Sequence, residues 1–420
     1  MSEFRIKRVQ LVAGVGGFWV NDQPAIQTGA TADGFFFNGR PVSPGFSAIR
    51  EPSTAYCVML ELEDGQIAYG DCVTVLNLGY GGRPLPLKQE DMPAVQNALA
   101  ELFVGQAFTS FRSAAQALEA PEFRNVINRP VAYGVSQALL SAAALSQHTT
   151  MASVLMDEYG IDRYMRPGLA GSCGGEWHLN VDKAIVRAVN MFPQSAIQTR
   201  GQCEQLPEYS SWIRQRIEKL GSRDYQPDLH FDFHSSLGRL FDNDLDRVCR
   251  YLADIVERTS PYRVYFEDPL FATTATEAID NMARLRERLG ALGIPCRLVA
   301  DEWANAPGEI ENYAKAGAAH AIQIKAPDNG SLTTIIDAIQ ICKKQGVLPY
   351  LGGSCNETDI SVRATVNIGV ALGVWRLFTR PGLGFDEGLM VTTNELNRTL
   401  ALLRAQRPTQ YCSNPDWAAM

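Results

Sequence analysis

Four short apolar runs, each ended by one ionisable side chain, constrain this chain more than any other feature. They are Leu229-His-Phe-Asp232, Arg263-Val-Tyr-Phe-Glu267, Arg297-Leu-Val-Ala-Asp301 and Ala321-Ile-Gln-Ile-Lys325. Runs of four or five residues rich in Val, Ile, Phe and Tyr read as buried strands. A charged group is excluded from the middle of such a strand but is accommodated where the strand meets solvent. The spacings of 35, 34 and 24 residues match one strand-plus-helix unit of an eightfold barrel of roughly 250 residues. Consecutive parallel strands that each end in an ionisable group on one rim make a single site.

The rest of the chain divides around that stretch. Its 420 residues exceed one ordinary core, so two domains are expected. Residues 4–13 alternate as a strand, and 14–45 reads as a long loop with a short hairpin. The aromatics Phe18, Trp19, Phe35, Phe36 and Phe37 suit either packing of that loop on its own domain or closure over a pocket. Residues 56–71 form a hairpin around Asp64-Gly65, and helical spacing follows over 91–106, 126–148 and 151–159. Gly79-Tyr-Gly-Gly82 lacks the Lys-Ser/Thr of a phosphate loop and reads as an ordinary loop. From about residue 182, helices and strands alternate in six or seven units, with strands at 195–199 and 348–351 besides the four above. The fold class is therefore α/β, with an α+β region over 1–165 and a parallel barrel over 166–420. The break is marked by Pro167-Gly168 and by Gly171, Gly174 and Gly175.

Charge narrows the partners. A net charge of −8 with no basic block argues against nucleic acid and against an acidic membrane surface. The nine cysteines form no CxxC pair, as expected of reduced thiols. The N-terminus has no apolar core of signal-peptide length and no run reaches membrane-spanning length, so a cytoplasmic globular protein is expected.

Three carboxylates gathered on one rim repel by about 4 kcal/mol per pair at about 4 Å and an effective dielectric near 20. A bound cation relieves that repulsion. Oxygen donors without neighbouring Cys or His select a hard ion, Mg²⁺ or Mn²⁺. Asp232, Glu267 and Asp301 are the candidate metal ligands. Lys325 is the candidate base for a proton α to a carboxylate, its pKa lowered by the cation and by desolvation. Taken singly, each acid also reads as a helix cap or a surface ion pair, and Lys325 as a solvated amine or a Schiff-base lysine. The inference rests on the set.

These residues resemble the enolase superfamily, and the wording around them is similar to one branch of it, the methylaspartate ammonia-lyases. The resemblance is carried by Val299-Ala-Asp-Glu-Trp303, Gln323-Ile-Lys325-x-Pro-Asp328, Gly352-Gly-Ser-Cys-Asn-Glu-Thr358, Asn367-Ile-Gly, Pro381-Gly-x-Gly-x-Asp-Glu-Gly388, Gly34-Phe35 and Gly70-Asp-Cys72. It implies an N-terminal α+β capping domain on a modified TIM (β/α) barrel, Mg²⁺ with K⁺ assistance, and a homodimer. It also implies reversible elimination of ammonia from 3-methylaspartate, a dicarboxylate, to give mesaconate. Lys325 matches the base for the S-configured C3 proton, Asp232, Glu267 and Asp301 the metal ligands, and Gln323, Ser354 and Cys355 the groups that hold the substrate carboxylates. The family's second acid/base, a His, falls on Gln194, which carries no titratable proton. Its two substrate-facing glutamines fall on Gly171 and Leu76, and a Phe falls on Leu169. Among the histidines, His148, His178, His230, His234 and His320, none stands at an obvious replacement position. These departures leave open a different amino- or hydroxy-dicarboxylate, acted on by elimination, dehydration or epimerisation, and a non-catalytic metal-binding relative.

Overall fold

The computed structural model describes residues 3–174, 176–379 and 384–413. Gly175 and the Pro381-Gly382 start of the last motif lie outside them. The strand Phe4–Asp22 pairs antiparallel with Arg50–Leu62, which pairs with Ile67–Cys72 across the expected Asp64-Gly65 turn. Gly65 there adopts φ +85°, open to glycine at no steric cost. The first strand runs nine residues past the expected 13, to Asp22, through irregular pairing between Val15 and Trp19. Gly14, Gly16 and Gly17 have no side chains to display an alternation, so the sequence there shows no strand. The long helix Arg129–Ser146 covers the hairpin. Gly70 and Gly134 face each other across that contact, and a Cβ on either would collide with the opposing backbone.

Eight parallel strands close into a barrel: Gly168–Ala170, Met191–Ala196, Asp228–Asp232, Val264–Glu267, Cys296–Ala300, Ala321–Ile324, Leu348–Leu351 and Arg376–Phe378. The three-residue first and last strands escape a pattern search because they are too short to show a period. The second strand starts at Met191 rather than 195. Pro193 argues against a central strand because it offers no N–H, and the chain accommodates it with a register shift between Pro193 and Ser195. No helix among the described residues is long and apolar enough to cross a membrane.

Strand parity decides which residues reach the site. Successive side chains alternate between the barrel interior and the surrounding helices. Ala170, Tyr265, Val299, Ala321, Leu348 and Tyr350 fill the interior, whereas Leu229, Phe231, Phe266, Leu298, Ile322 and Ile324 join the helix-facing core. Two residues on from an interior position, Glu267 follows Tyr265, Asp301 follows Val299, and Gln323 and then Lys325 follow Ala321. Asp232 stands opposite Glu267 in the strand register. The charged residues are thus the topmost inward layer of the barrel, at the C-terminal ends where barrel sites lie.

The capping region clamps the loop that follows the seventh strand. Tyr133 Oη donates to Glu357 Oε1 at 2.7 Å, Thr358 Oγ1 donates to Asp71 Oδ2, and Leu76 N–H donates to the Ser354 carbonyl at 2.9 Å. Glu357 is fully buried, and burial pushes its pKa from 4.5 up to about 7 against the hydrogen bonds of Tyr133 and Ser354. Between those two values the unfolded carboxyl has lost its proton while the folded one keeps it, so this group's contribution to stability falls as pH rises. Glu357→Gln imitates the protonated acid and removes that dependence. Denaturant unfolding is expected to show the variant gaining roughly 2–3 kcal/mol on the native protein between about pH 5 and about pH 8. A difference that does not change with pH would show that Glu357 is not protonated in the fold.

Candidate active site

A cavity of about 300 Å³ opens above the barrel, lined on the barrel side by Gln194, Asp232, Gln323, Lys325, Ser354 and Cys355 and on the capping side by Phe18, Trp19, Arg50, Leu76 and Arg83. Seven of the expected site residues therefore meet in one place. Glu267 and Asp301 lie against it, the first reached through Gln323 and the second through Lys325. Asp232, Glu267, Asp301 and Lys325 are all buried.

Gly171 is the exception. A Cβ there would meet Phe385 at 3.1 Å and Val189 at 3.3 Å, on the helix side of the first strand. Ala170 points inward, so Leu169 and Gly171 point outward by alternation and Ser172 lines the cavity instead. Gln194 does face the cavity, and the register shift is the reason. As the extra residue of the bulge it is left out of the pairing and adopts φ +38°, and a bulge re-aims a side chain beside a site. Its Nε2 donates to Asp232 Oδ2 at 3.2 Å.

The carboxylates are held by a web of charges. Burial first, then Asp232 and Asp301, pushes Glu267 well above the carboxylate range. Asp301 is raised by burial, with Lys325 opposing. With its amide nitrogen turned inward, Gln323 donates to Glu267 Oε1 at 3.1 Å and Oε2 at 2.9 Å. Gly353 allows that side chain its place: the glycine has φ +94°, and a Cβ would strike the Gln323 amide. Lys325 Nζ bonds Asp301 Oδ2. Burial and Arg83 would lower the Lys325 pKa, but Asp301, Glu302 and Glu267 outweigh them and raise it. The lowered pKa expected of Lys325 therefore depends on a cation that offsets the charge of these three carboxylates.

Among the described residues no three acid, Cys or His side chains converge as a finished metal shell. Asp232 is engaged by His234 and Gln194, Glu267 by Gln323, and Asp301 by Lys325. The donor set nevertheless fits a hard cation. It consists of buried carboxylates that repel one another, and Asp301 Oδ1 is buried without a hydrogen-bond partner. Mg²⁺ held there by Asp232, Glu267 and Asp301 would offset that repulsion.

Several participants carried no role in the sequence. His234 bridges Asp232 Oδ2 at 3.0 Å and Glu302 Oε1 at 2.6 Å. Burial would lower its pKa, yet those two carboxylates raise it well above the ordinary value. His230 Nε2 lies 2.7 Å from Glu267 Oε2 but off a hydrogen-bonding direction, and burial holds it neutral with a pKa of about 4. Asp268 accepts the Asp301 and Glu302 N–H groups at 3.1 and 2.6 Å. Glu302 and Asp328 stood in the quoted motifs without an assigned task. His178 meets Tyr209 and Trp212 edge-on, and His320 accepts the Leu298 N–H, both away from the cavity.

Arg83 joins the capping region to this web. It follows the Gly79–Gly82 loop, is buried, and reaches Glu302 Oε2 at 2.7 Å, Asp328 Oδ2 at 3.0 Å and Asp301 Oδ1 at 3.6 Å. Removing one partner of a buried ion pair leaves the others uncompensated. Arg83→Met is expected to cost about 3–5 kcal/mol in urea unfolding. A loss below about 1 kcal/mol, the range of exposed pairs, would show that the three acids do not depend on it.

Comparison with known proteins agrees with this geometry. Family models described as the methylaspartate ammonia-lyase N-terminus and C-terminus match residues 4–160 and 163–405. Methylaspartate ammonia-lyase 1 of Carboxydothermus hydrogenoformans is 39% identical over 418 residues, covering 96% of this chain and 98% of that protein. The structure of Citrobacter amalonaticus methylaspartate ammonia lyase containing (2S,3S)-3-methylaspartic acid superposes with a TM-score of 0.90 at 36% identity, over 95% of this chain and 100% of that one. The Mg complex of β-methylaspartase from Clostridium tetanomorphum gives 0.87 at 34% identity, over 96% and 100%. The chain therefore belongs to the methylaspartate ammonia-lyase family, carbon–nitrogen lyases built on the enolase-superfamily fold.

Proposed function

We propose that this protein is a Mg²⁺-dependent ammonia-lyase acting on 3-methylaspartate. The observation that carries the reading is Lys325, which lines the cavity and bonds Asp301, one of the buried carboxylates at neighbouring strand ends. The solved relatives that hold (2S,3S)-3-methylaspartic acid and Mg support it. Lys325 takes the proton from the carbon bearing the methyl group, α to one carboxylate. The C–H electron pair becomes the carbon–carbon double bond, and ammonia leaves from the next carbon with the C–N pair, giving mesaconate. Asp232, Glu267 and Asp301 would hold a divalent cation, which would supply positive charge against the charge that develops on the substrate carboxylate. Lys325 acts as a base only when the negative charge that raises its pKa is neutralised. Gln323, Ser354 and Cys355 orient the carboxylates, and Leu76 forms an apolar part of the wall. On the same reading Mn²⁺ can stand in for Mg²⁺, K⁺ assists, and the enzyme works as a cytoplasmic homodimer.

Gln194 makes the chemistry one-sided. An amide donates a hydrogen bond but moves no proton, so a substrate that presents its C3 proton to Gln194 finds no base. Purified protein with Mg²⁺ is expected to convert the diastereomer with the S configuration at C3 and to leave the other slower by roughly 100-fold or more, the usual worth of a positioned base. Mesaconate absorbance follows both, and comparable rates would contradict the assignment of the single base. Lys325→Ala should lower turnover by at least about 10²–10⁴-fold while circular dichroism shows the fold retained. Full residual activity would remove Lys325 as the base.

A further inference from the structure

Four cationic side chains line the cavity: Arg83, His234, Lys325 and Arg50. Three are matched by acids. Arg83 meets Glu302 and Asp328, His234 lies between Asp232 and Glu302, and Lys325 bonds Asp301. Arg50 makes no ion pair among the described residues. Its Nε donates to Asn21 Oδ1 at 2.8 Å and its Nη1 to the Phe35 carbonyl, and Asn21 is braced by Asn77 at 3.0 Å. The guanidinium carbon lies 4.9 Å from the Trp19 ring centre and 4.7 Å from those of Phe35 and Phe37. Two of its five N–H donors are used, and Nη2 bonds no atom among the described residues. Partial burial lowers its pKa, a desolvation that a bound anion would offset.

An arginine held by an asparagine side chain and packed among three rings is preorganised for a planar anion. We infer that Arg50 anchors the second carboxylate of the substrate, the one not directed to the Asp232, Glu267 and Asp301 end. The site would thereby select dianionic substrates and couple their arrival to the aromatic loop whose Phe35 carbonyl Arg50 holds. The inference rests on the proposed reading only for which carboxylate lies at the barrel end. The bland alternative is that Arg50 only latches that loop.

Titration calorimetry with Mg²⁺ separates the two. Its ligands are mesaconate, the mesaconate monoamide that is neutral at the carboxylate remote from the methyl group, and the unbranched diacids succinate and glutarate. Arg50→Gln is expected to weaken mesaconate about 30- to 100-fold, the worth of a charge-assisted bond, and the monoamide less than about threefold, with Arg50→Lys in between. Equal weakening of both ligands is what a latch gives, and it would overturn the inference, as would unchanged mesaconate binding. If the native protein leaves 3-methylaspartate unreacted yet binds the diacids in an Arg50-dependent way, the proposed reaction falls and the anchor stands. If it binds no diacid, the anchor is overturned.

Discussion

The mutual repulsion of carboxylates buried at the ends of neighbouring strands is the constraint on which the rest of this structure depends. Asp232, Glu267 and Asp301 occupy the topmost inward layer of the barrel because strand parity puts them there. Water cannot screen them in that position, so ionising one opposes ionising its neighbours. The surrounding residues answer that charge. Lys325 bonds Asp301, His234 bridges Asp232 to Glu302, Gln323 donates twice to Glu267, and Arg83 enters from the other region to meet Glu302 and Asp328. The same negative charge would be offset by a hard divalent cation, and it keeps the amine protonated without one.

The two regions of the chain divide the work. The barrel supplies the charged layer and Lys325, the proposed base. The capping region supplies the roof, through Phe18, Trp19, Leu76 and Arg50, and the clamp on the loop that carries Ser354 and Cys355. On the proposed reading a substrate between them would touch both, so the groups that choose the molecule would sit on a different part of the sequence from those that activate its bond.

Much of this was legible in the residues, for physical reasons. Strand-end charges stand out because a charge is excluded from the middle of a run such as Val-Tyr-Phe and accommodated at its end, and the quoted motifs fixed the family. The three-residue strands at Gly168–Ala170 and Arg376–Phe378 left no periodic signal, and Gly14 to Gly17 hid the second half of the first strand. Gly171 shows the limit of matching position to position. Strand alternation, which the sequence did not register for so short a strand, turns it toward Phe385 and brings Ser172 to the cavity. Gln194 shows the converse, since a bulge invisible in sequence directs it inward. Arg83 was missed because an ion pair between distant segments has no local signature.

The central claim is that these strand-end carboxylates bind the divalent cation that Lys325 chemistry requires. Calorimetric titration of Mg²⁺ into the native protein and into a Glu267→Gln variant of unchanged fold tests it most directly. The account predicts one ion per chain for the native protein and at least about tenfold weaker binding for the variant, as for a lost metal ligand or its support. Equal binding by both would contradict it.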